Sequence, residues 1–476
     1  MSNTTWRPDS WRGYPARQQP EWPDRHALDQ EIKKLSMLPP LTFAGEVHKL
    51  RAALSEVASG HAFLLQAGDC AESFADWRAD AICGKLRVIL QMALVLTYGT
   101  GVPVVKVGRI AGQFAKPRSA ATECIGGIEL PAFRGHIVHD DAPTPQARTP
   151  DPRRLLSAYH QAASTLNMLR ALTTGGFAAL SQIHLWNTNF VISSPEGRRY
   201  EEIAGEIGRA LRFMESCGID LSAQAPLHQV DLWTSHEALL LPWEEALTRP
   251  DPVAGGWYDS SAHLLWVGER TRQADGAHIE FARGIANPIQ VKLGPATTPD
   301  AVLKICSALD PQRTPGRLTL ISRMGAGRIR AVLPPLLTAV REAGYPVVWA
   351  CDPMHGNTYL SRSGHKTRRM ESILAEVNGF FSAHAEAGTW PGGIHVELTG
   401  EDVTECLGPG SDEDEPRVRY TTICDPRLNV SQSLALAFDL AALLRRSPEM
   451  VMPSPGKPAR VTRPARRHRP HKDRAW

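Results

Sequence analysis

The sequence predicts an α/β fold: a (β/α)8 TIM barrel with an N-terminal extension and extra helices inserted outside the barrel. Three observations carry it. Short, nearly uninterrupted apolar runs recur along the chain, as parallel strands covered on both faces require. Longer stretches with helical spacing separate them, the alternation that builds a parallel sheet. The apolar runs number eight, which is the count that closes a barrel. A doubly wound sheet is the alternative. No Gly-rich dinucleotide fingerprint follows the first run to support it.

Taken in order, residues 1–45 form the extension. It is Pro- and Trp-rich at first, then helical over "DRHALDQEIKKLSML" (24–38). The barrel is read over 46–446. Its first strand is "AFLLQAGDC" (62–70), followed by the helical "KLRVILQMALVLTYG" (85–99) and the strand "VPVVKVGRIAG" (102–112). The stretch from about 140 to 235 is too long for one βα unit. It holds "PRRLLSAYHQAASTLNMLRAL" (152–172) and "EEIAGEIGRALRFMESCG" (201–218), read as helices added outside the barrel. A strand is placed in "AALSQIHLW" (178–186), with "HQVDLWTS" (228–235) competing for the place. The remaining strands are "AHLLWVGER" (262–270), "PIQVKLGP" (288–295), "RLTLISRMG" (317–325), "PVVWACDP" (346–353) and "GIHVELTG" (393–400). The helical "DAVLKICSALD" (300–310) and "RAVLPPLLTAVREAG" (330–344) lie between them.

Residues 447–476 are read as a basic disordered tail. From Lys457 to Trp476 there are eight Lys/Arg and one acid, a net of +7. The whole chain carries only +3, so the body is mildly acidic. A Pro- and Arg-rich segment without apolar periodicity has nothing to pack. It is read as a solvated appendage, not as a grip on nucleic acid.

Hydrophobic content of 42% and charged content of 22% match an ordinary globular protein. No run of about 18 apolar residues exists, so no membrane span is expected. The first residues carry no apolar signal core, and the eight Cys form no CxxC pair. Reduced thiols and a cytoplasmic location are expected.

The carboxyl ends of barrel strands converge on one mouth, and here they are heavily charged. The first strand delivers Asp69 and Cys70. The second brings Lys106 and Arg109, then "AKPRS" adds Lys116, Arg118 and Ser119. Later strands bring Glu269 and Arg270, Lys292, Arg323, His355 and Glu397, with Asp425 and Arg427 just beyond. A lone Arg at a strand end is ordinarily structural. A ring of charges from nearly every strand costs several kcal/mol per ion unless each is compensated. The ring sorts into two sets. Cys70, His355, Glu397 and Asp425 form a mixed S/N/O group suited to a divalent transition metal. Arg109, Lys116, Arg118, Arg270, Lys292 and Arg323 suit phosphate and carboxylate groups.

The blocks "LLQAGDCAESF", "VVKVGRIAGQFAKPRS", "GERTRQADGAHIEF", "NPIQVKLGP", "LTLISRMGAGR", "CDPMHGNT", "GGIHVELTGEDVTECLG" and "CDPRLNVSQSLALAF" resemble the type II 3-deoxy-D-arabino-heptulosonate 7-phosphate (DAHP) synthases. The resemblance runs from about Pro20 to about Leu444, with the motifs in order. It implies condensation of phosphoenolpyruvate with erythrose 4-phosphate, the first step of the shikimate pathway, and a divalent metal, Mn2+ or Co2+. By motif, the metal ligands are Cys70, His355, Glu397 and Asp425. The phosphoenolpyruvate site is Arg109, Glu269, Arg270, Lys292 and Arg323, with Lys292 and Glu269 as the proton-transfer candidates. Lys116, Arg118 and Ser119 meet the erythrose 4-phosphate. The resemblance also implies a homo-oligomer and a chorismate mutase partner.

Two places depart from the family pattern. "IELPAFRGHIVHDD" has His136 where the family has an acid, and "LWNTNF" has Thr188-Asn189 where a charged pair is expected. These leave the reaction type untouched and open the aldehyde partner and the regulation. The alternatives are a secondary-metabolism paralogue feeding a shikimate or aminoshikimate branch, one that takes an amino analogue of the aldehyde, and a non-catalytic regulatory homologue. Intact metal and phosphate residues speak against the last.

Overall fold

Eight parallel strands close on themselves in the computed structural model, which describes residues 6–187, 194–408 and 418–446. They are β1 (Phe63–Gly68), β2 (Val104–Arg109), β3 (Trp233–Glu237), β4 (Leu264–Val267), β5 (Ile289–Leu293), β6 (Leu318–Ser322), β7 (Val348–Cys351) and β8 (Gly393–Glu397). Each pairs with its sequence neighbours, and β8 pairs with β1 to complete the (β/α)8 barrel. The register sets the composition of the rim. Gly68 stands opposite Arg109 on one side and Glu397 on the other. One level of the rim therefore gathers residues from positions far apart in the chain. Gly68 has φ +147, and a Cβ there would lie 2.5 Å from the Arg109 carbonyl oxygen, so no other residue fits.

The helix Ala44–Ala58 closes the amino end of the barrel. Its Leu50, Leu54 and Val57 share one face and pack with Leu64, Val105, Val107, Leu264 and Val348. The larger apolar layer lies between the strands and the outer helices, among them Ala79–Thr100, Met370–Ala387 and Val430–Arg446. The helix Arg25–Met37 starts at Asp24, whose side chain accepts from the Ala27 N–H. Arg153–Thr174 and Pro195–Ser216 are the long helices inserted between β2 and β3.

The third strand is Trp233–Glu237, so the competing run prevails over 178–186. Leu180–Trp186 is instead a 3-10 helix with Leu185 largely exposed. The reason lies in side-chain partners. "WTSHE" is polar, yet every residue is buried. Gln66 Nε2 donates to Ser235 Oγ, and Ser235 Oγ donates to the Gly108 carbonyl. His236 meets Glu244. Those partners come from two other strands and from the helix Leu241–Leu247, and local hydropathy does not report them. Among the described residues no helix is long and apolar enough to cross a membrane. Thr188, Asn189 and the basic tail lie outside the described residues.

Candidate active site at the barrel mouth

A cavity of about 430 Å3 opens at the carboxyl rim. Its wall includes Lys116, Arg118, Ser119, Glu269, Arg270, Lys292, Arg323, His355 and Asp425. Nine of the twelve residues assigned from the sequence to the metal and substrate sites thus face one space. Cys70, Arg109 and Glu397 lie beneath it, almost fully buried.

The S/N/O set converges as the strand ends predict. One ligand atom each from Cys70, Glu397 and Asp425 lies within 4.8 Å of the other two. His355 Nε2 is 3.2 Å from Glu397 Oε1. The other ring nitrogen, Nδ1, donates to Asp352 Oδ2 at 2.7 Å. That bond turns Nε2 toward the cluster. An imidazole nitrogen and a carboxylate oxygen at such a distance are joined by a proton or share a cation. Lys116 supplies positive charge here: its Nζ is 2.7 Å from Cys70 Sγ, 3.0 Å from Asp425 Oδ2 and 3.4 Å from Glu397 Oε1. Arg368 adds an ion pair to Glu397 Oε2 at 2.8 Å. Burial pushes Glu397 up, but His355, Lys116 and Arg368 outweigh it and hold the carboxyl well below its ordinary range. Burial raises the Cys70 thiol. A thiol and two carboxylates around one point, with an imidazole nitrogen beside one of the carboxylates, fit a divalent transition metal.

A second cluster, His136 with Asp140 and Asp141, does not fit one. The Phe74 N–H donates to His136 Nδ1 at 2.9 Å. Nε2 must then carry the ring proton of the neutral imidazole, and it faces Asp141 at 3.4 Å. No lone pair remains for an ion.

The cationic set divides by depth. Arg109 lies under the floor, 1% exposed. It donates to the Asp69 carbonyl at 2.9 Å and to Glu397 Oε1 at 3.0 Å, touches His395, and stacks on Trp266 at 4.9 Å. Lys292 Nζ donates to Asp352 Oδ2 at 2.8 Å. Burial pulls Lys292 down, and Asp352 only partly restores it. Glu269 is clamped: it accepts from Arg272 Nε and Nη2 at 2.8 Å each, and from the Gly294 N–H at 2.5 Å. Arg270 reaches Ser119 Oγ across the mouth. Arg118 pairs with Glu123 at 2.5 Å. Lys116 stands with the sulfur and carboxylates, nearer the ligand cluster than "KPRS" by itself suggests.

Sequence reasoning passed over several residues. Lys366 donates to Asp425 Oδ1 at 2.9 Å, and no motif marks it. Asp352 bonds both His355 and Lys292, and its place in "CDPMHGN" three residues before His355 was the available signal. Glu376 accepts from the Met324 and Gly325 N–H groups at 2.8 Å and from Asn357 Nδ2 at 2.7 Å, tying the Arg323 loop to the His355 loop. Glu237 also lines the cavity, and its carboxylate occupies the space a Cβ at Gly268 would need.

The model of the class-II DAHP synthetase family matches residues 6–441. The chain belongs to this family. It is 57% identical over 440 residues to a "Phospho-2-dehydro-3-deoxyheptonate aldolase" of Streptomyces coelicolor, covering 92% of this chain and 97% of that one. It is 51% identical over 446 residues to "Phospho-2-dehydro-3-deoxyheptonate aldolase AroG" of Mycolicibacterium smegmatis, covering 92% and 95%. The described mouth lies within the matched span of the DAHP synthetase family.

Proposed function

We propose that this family member condenses phosphoenolpyruvate with D-erythrose 4-phosphate and water. The products are 3-deoxy-D-arabino-heptulosonate 7-phosphate and phosphate, the first step of the shikimate pathway. The carrying observation is one cavity in which an S/N/O ligand set meets a wall of Arg and Lys. The names of the two relatives support it.

Cys70, His355, Glu397 and Asp425 would hold a divalent ion, Mn2+ or Co2+, whose chemistry when bound is Lewis-acid polarisation of the aldehyde oxygen. The rest falls to the chain's own side chains. Arg270, Lys292 and Arg323 hold the phosphate and carboxylate of phosphoenolpyruvate, with Arg109 supporting the floor. Arg118 and Ser119 take the remote phosphate of the tetrose, with Lys116 behind them. Two polyanions that repel each other in water are thereby held close enough to react. The enol carbon of phosphoenolpyruvate bonds to the aldehyde carbon. Positive charge then grows at the carbon bearing the phosphate ester. Water adds there, and the hemiketal phosphate breaks its C–O bond to release phosphate. Lys292 is the proton carrier in this scheme, because it faces the cavity and burial eases its deprotonation. Glu269, fixed by Arg272 and the Gly294 N–H, acts by position. A homo-oligomer, a cytoplasmic location and a chorismate mutase partner belong to the same proposal.

The test is phosphate release by purified protein loaded with Mn2+ or Co2+. Phosphoenolpyruvate is paired in turn with erythrose 4-phosphate and with its amino analogue. Release that requires erythrose 4-phosphate supports the proposal. Release with the amino analogue alone moves the enzyme to an aminoshikimate branch, and no aldehyde-dependent release removes the proposal.

A further inference from the structure

One carboxylate stands between the two halves of the mouth. Asp352 follows β7 directly and is fully buried. Its Oδ1 accepts from the N–H groups of Met354 at 3.1 Å and His355 at 3.2 Å. Its own N–H donates to the Ser322 carbonyl at 2.7 Å. The group is therefore pinned by its own loop and cannot turn away. The remaining oxygen, Oδ2, serves two donors at once: His355 Nδ1 at 2.7 Å and Lys292 Nζ at 2.8 Å. His355 belongs to the ligand set, and Lys292 lines the substrate cavity.

We propose that Asp352 is a positioning residue that couples metal binding at His355 to the charge Lys292 presents to phosphoenolpyruvate. This rests on the metal site assigned under Proposed function. An oxygen shared by two donors gives less to each than to one alone. When His355 is ligated through Nε2, its Nδ1–H becomes a stronger donor and takes a larger share of Oδ2. Lys292 is then less neutralised, and more of its charge faces the anionic substrate. Reciprocity of binding linkage requires the converse: a substrate that draws Lys292 away leaves Oδ2 to His355 and strengthens the metal site. The two ligands thus reinforce each other through a group that touches neither.

The test is a double-mutant cycle on metal affinity, read by competition with a chelating dye and without substrate. The proteins are wild type, Asp352→Asn, Lys292→Met and the double variant. Asp352→Asn is expected to weaken metal binding about 10- to 100-fold, as loss of a partner of a ligating His does. Lys292→Met is expected to tighten it, both by removing a nearby cation and by releasing Oδ2. With Asn at 352 only the cation effect is left, so the gain should shrink by about fivefold or more. An equal gain in both backgrounds overturns the proposal. Should Asp352→Asn fail to fold, Arg323→Met replaces it as the control, since it removes a cation from the same wall without touching Asp352. Lys292→Met must then exceed Arg323→Met by about fivefold, and equality overturns the proposal. Failure of the metal site itself reads differently: His355→Ala would bind metal as tightly as wild type.

Discussion

Glu244 offers a prediction whose size follows from its surroundings. It is 1% exposed, with His236 Nε2 at 3.1 Å and Ser261 Oγ donating at 2.9 Å. Burial pushes Glu244 up to about 8 from 4.5. Burial pushes His236 down to about 4 from 6.5. Glu244, raised, contributes stability that is fully present below 4.5 and is lost as pH rises through about 8. His236, depressed, contributes stability present above 6.5 and lost as pH falls toward about 4. Between 4.5 and 6.5 the two slopes oppose and nearly cancel. From 6.5 to about 8 the His236 slope is gone and the Glu244 slope remains, beside that of Asp259, whose carboxyl burial and Glu244 push well above its ordinary value. There Glu244 keeps in the folded chain a proton it has lost in the unfolded chain, which costs up to about 1.4 kcal/mol per pH unit. Over that window the loss is about 1.5 to 2 kcal/mol. Glu244→Gln keeps the size and removes the titration. The assay is urea unfolding of both proteins at about pH 6.5 and about pH 8, at one metal concentration, and only the difference between them is used. The variant should gain on the wild type by that amount at the higher pH. Equal pH dependence of the two proteins would refute the reasoning.

His355→Ala should abolish phosphate release and leave far-UV circular dichroism and the thermal midpoint close to wild type, because the imidazole is at the mouth and outside the apolar layers; an active, metal-replete variant refutes its ligand role. Arg118→Ala should raise KM for the aldehyde about 10- to 100-fold with a smaller change in kcat, since a remote phosphate is held equally in ground and transition states; a shift confined to the phosphoenolpyruvate KM would reverse the division of the anion sites. The Cys70 and Cys424 side chains pack in one small buried cluster, so peroxide on chelated enzyme should join them as a disulfide, with loss of activity that thiol reductant restores and bound metal prevents. Intact-protein mass spectrometry would show the loss of two hydrogens, and full activity after peroxide would count against it. Deleting 457–476 should leave turnover unchanged, and a large fall in kcat would show that the tail reaches the site.

The sequence by itself determined the architecture and most of the mouth. Barrel strands such as "FLLQAG" and "IQVKL" are covered on both faces, so their apolar runs are continuous, and chemistry collects where they end. Cys70, His355 and Glu397 were legible for that reason, each at or just past a strand terminus. Tertiary structure decided what depended on partners. The third strand, "WTSHE", is polar, and its burial makes sense only with Gln66, Gly108 and Glu244 around it. Lys116 meets Cys70 and Asp425 because the loop after β2 folds over them, a distance no spacing encodes. Glu269 was named with Lys292 as a proton-transfer candidate, and its bonds to Arg272 and the Gly294 N–H come from the tertiary structure. Asp352 shows the same limit: its Asp-to-His spacing is local, but Lys292 reaches it from a strand sixty residues away. Hydropathy records which segments leave water. Which buried charges answer one another is fixed only when the strands close and the register sets them side by side.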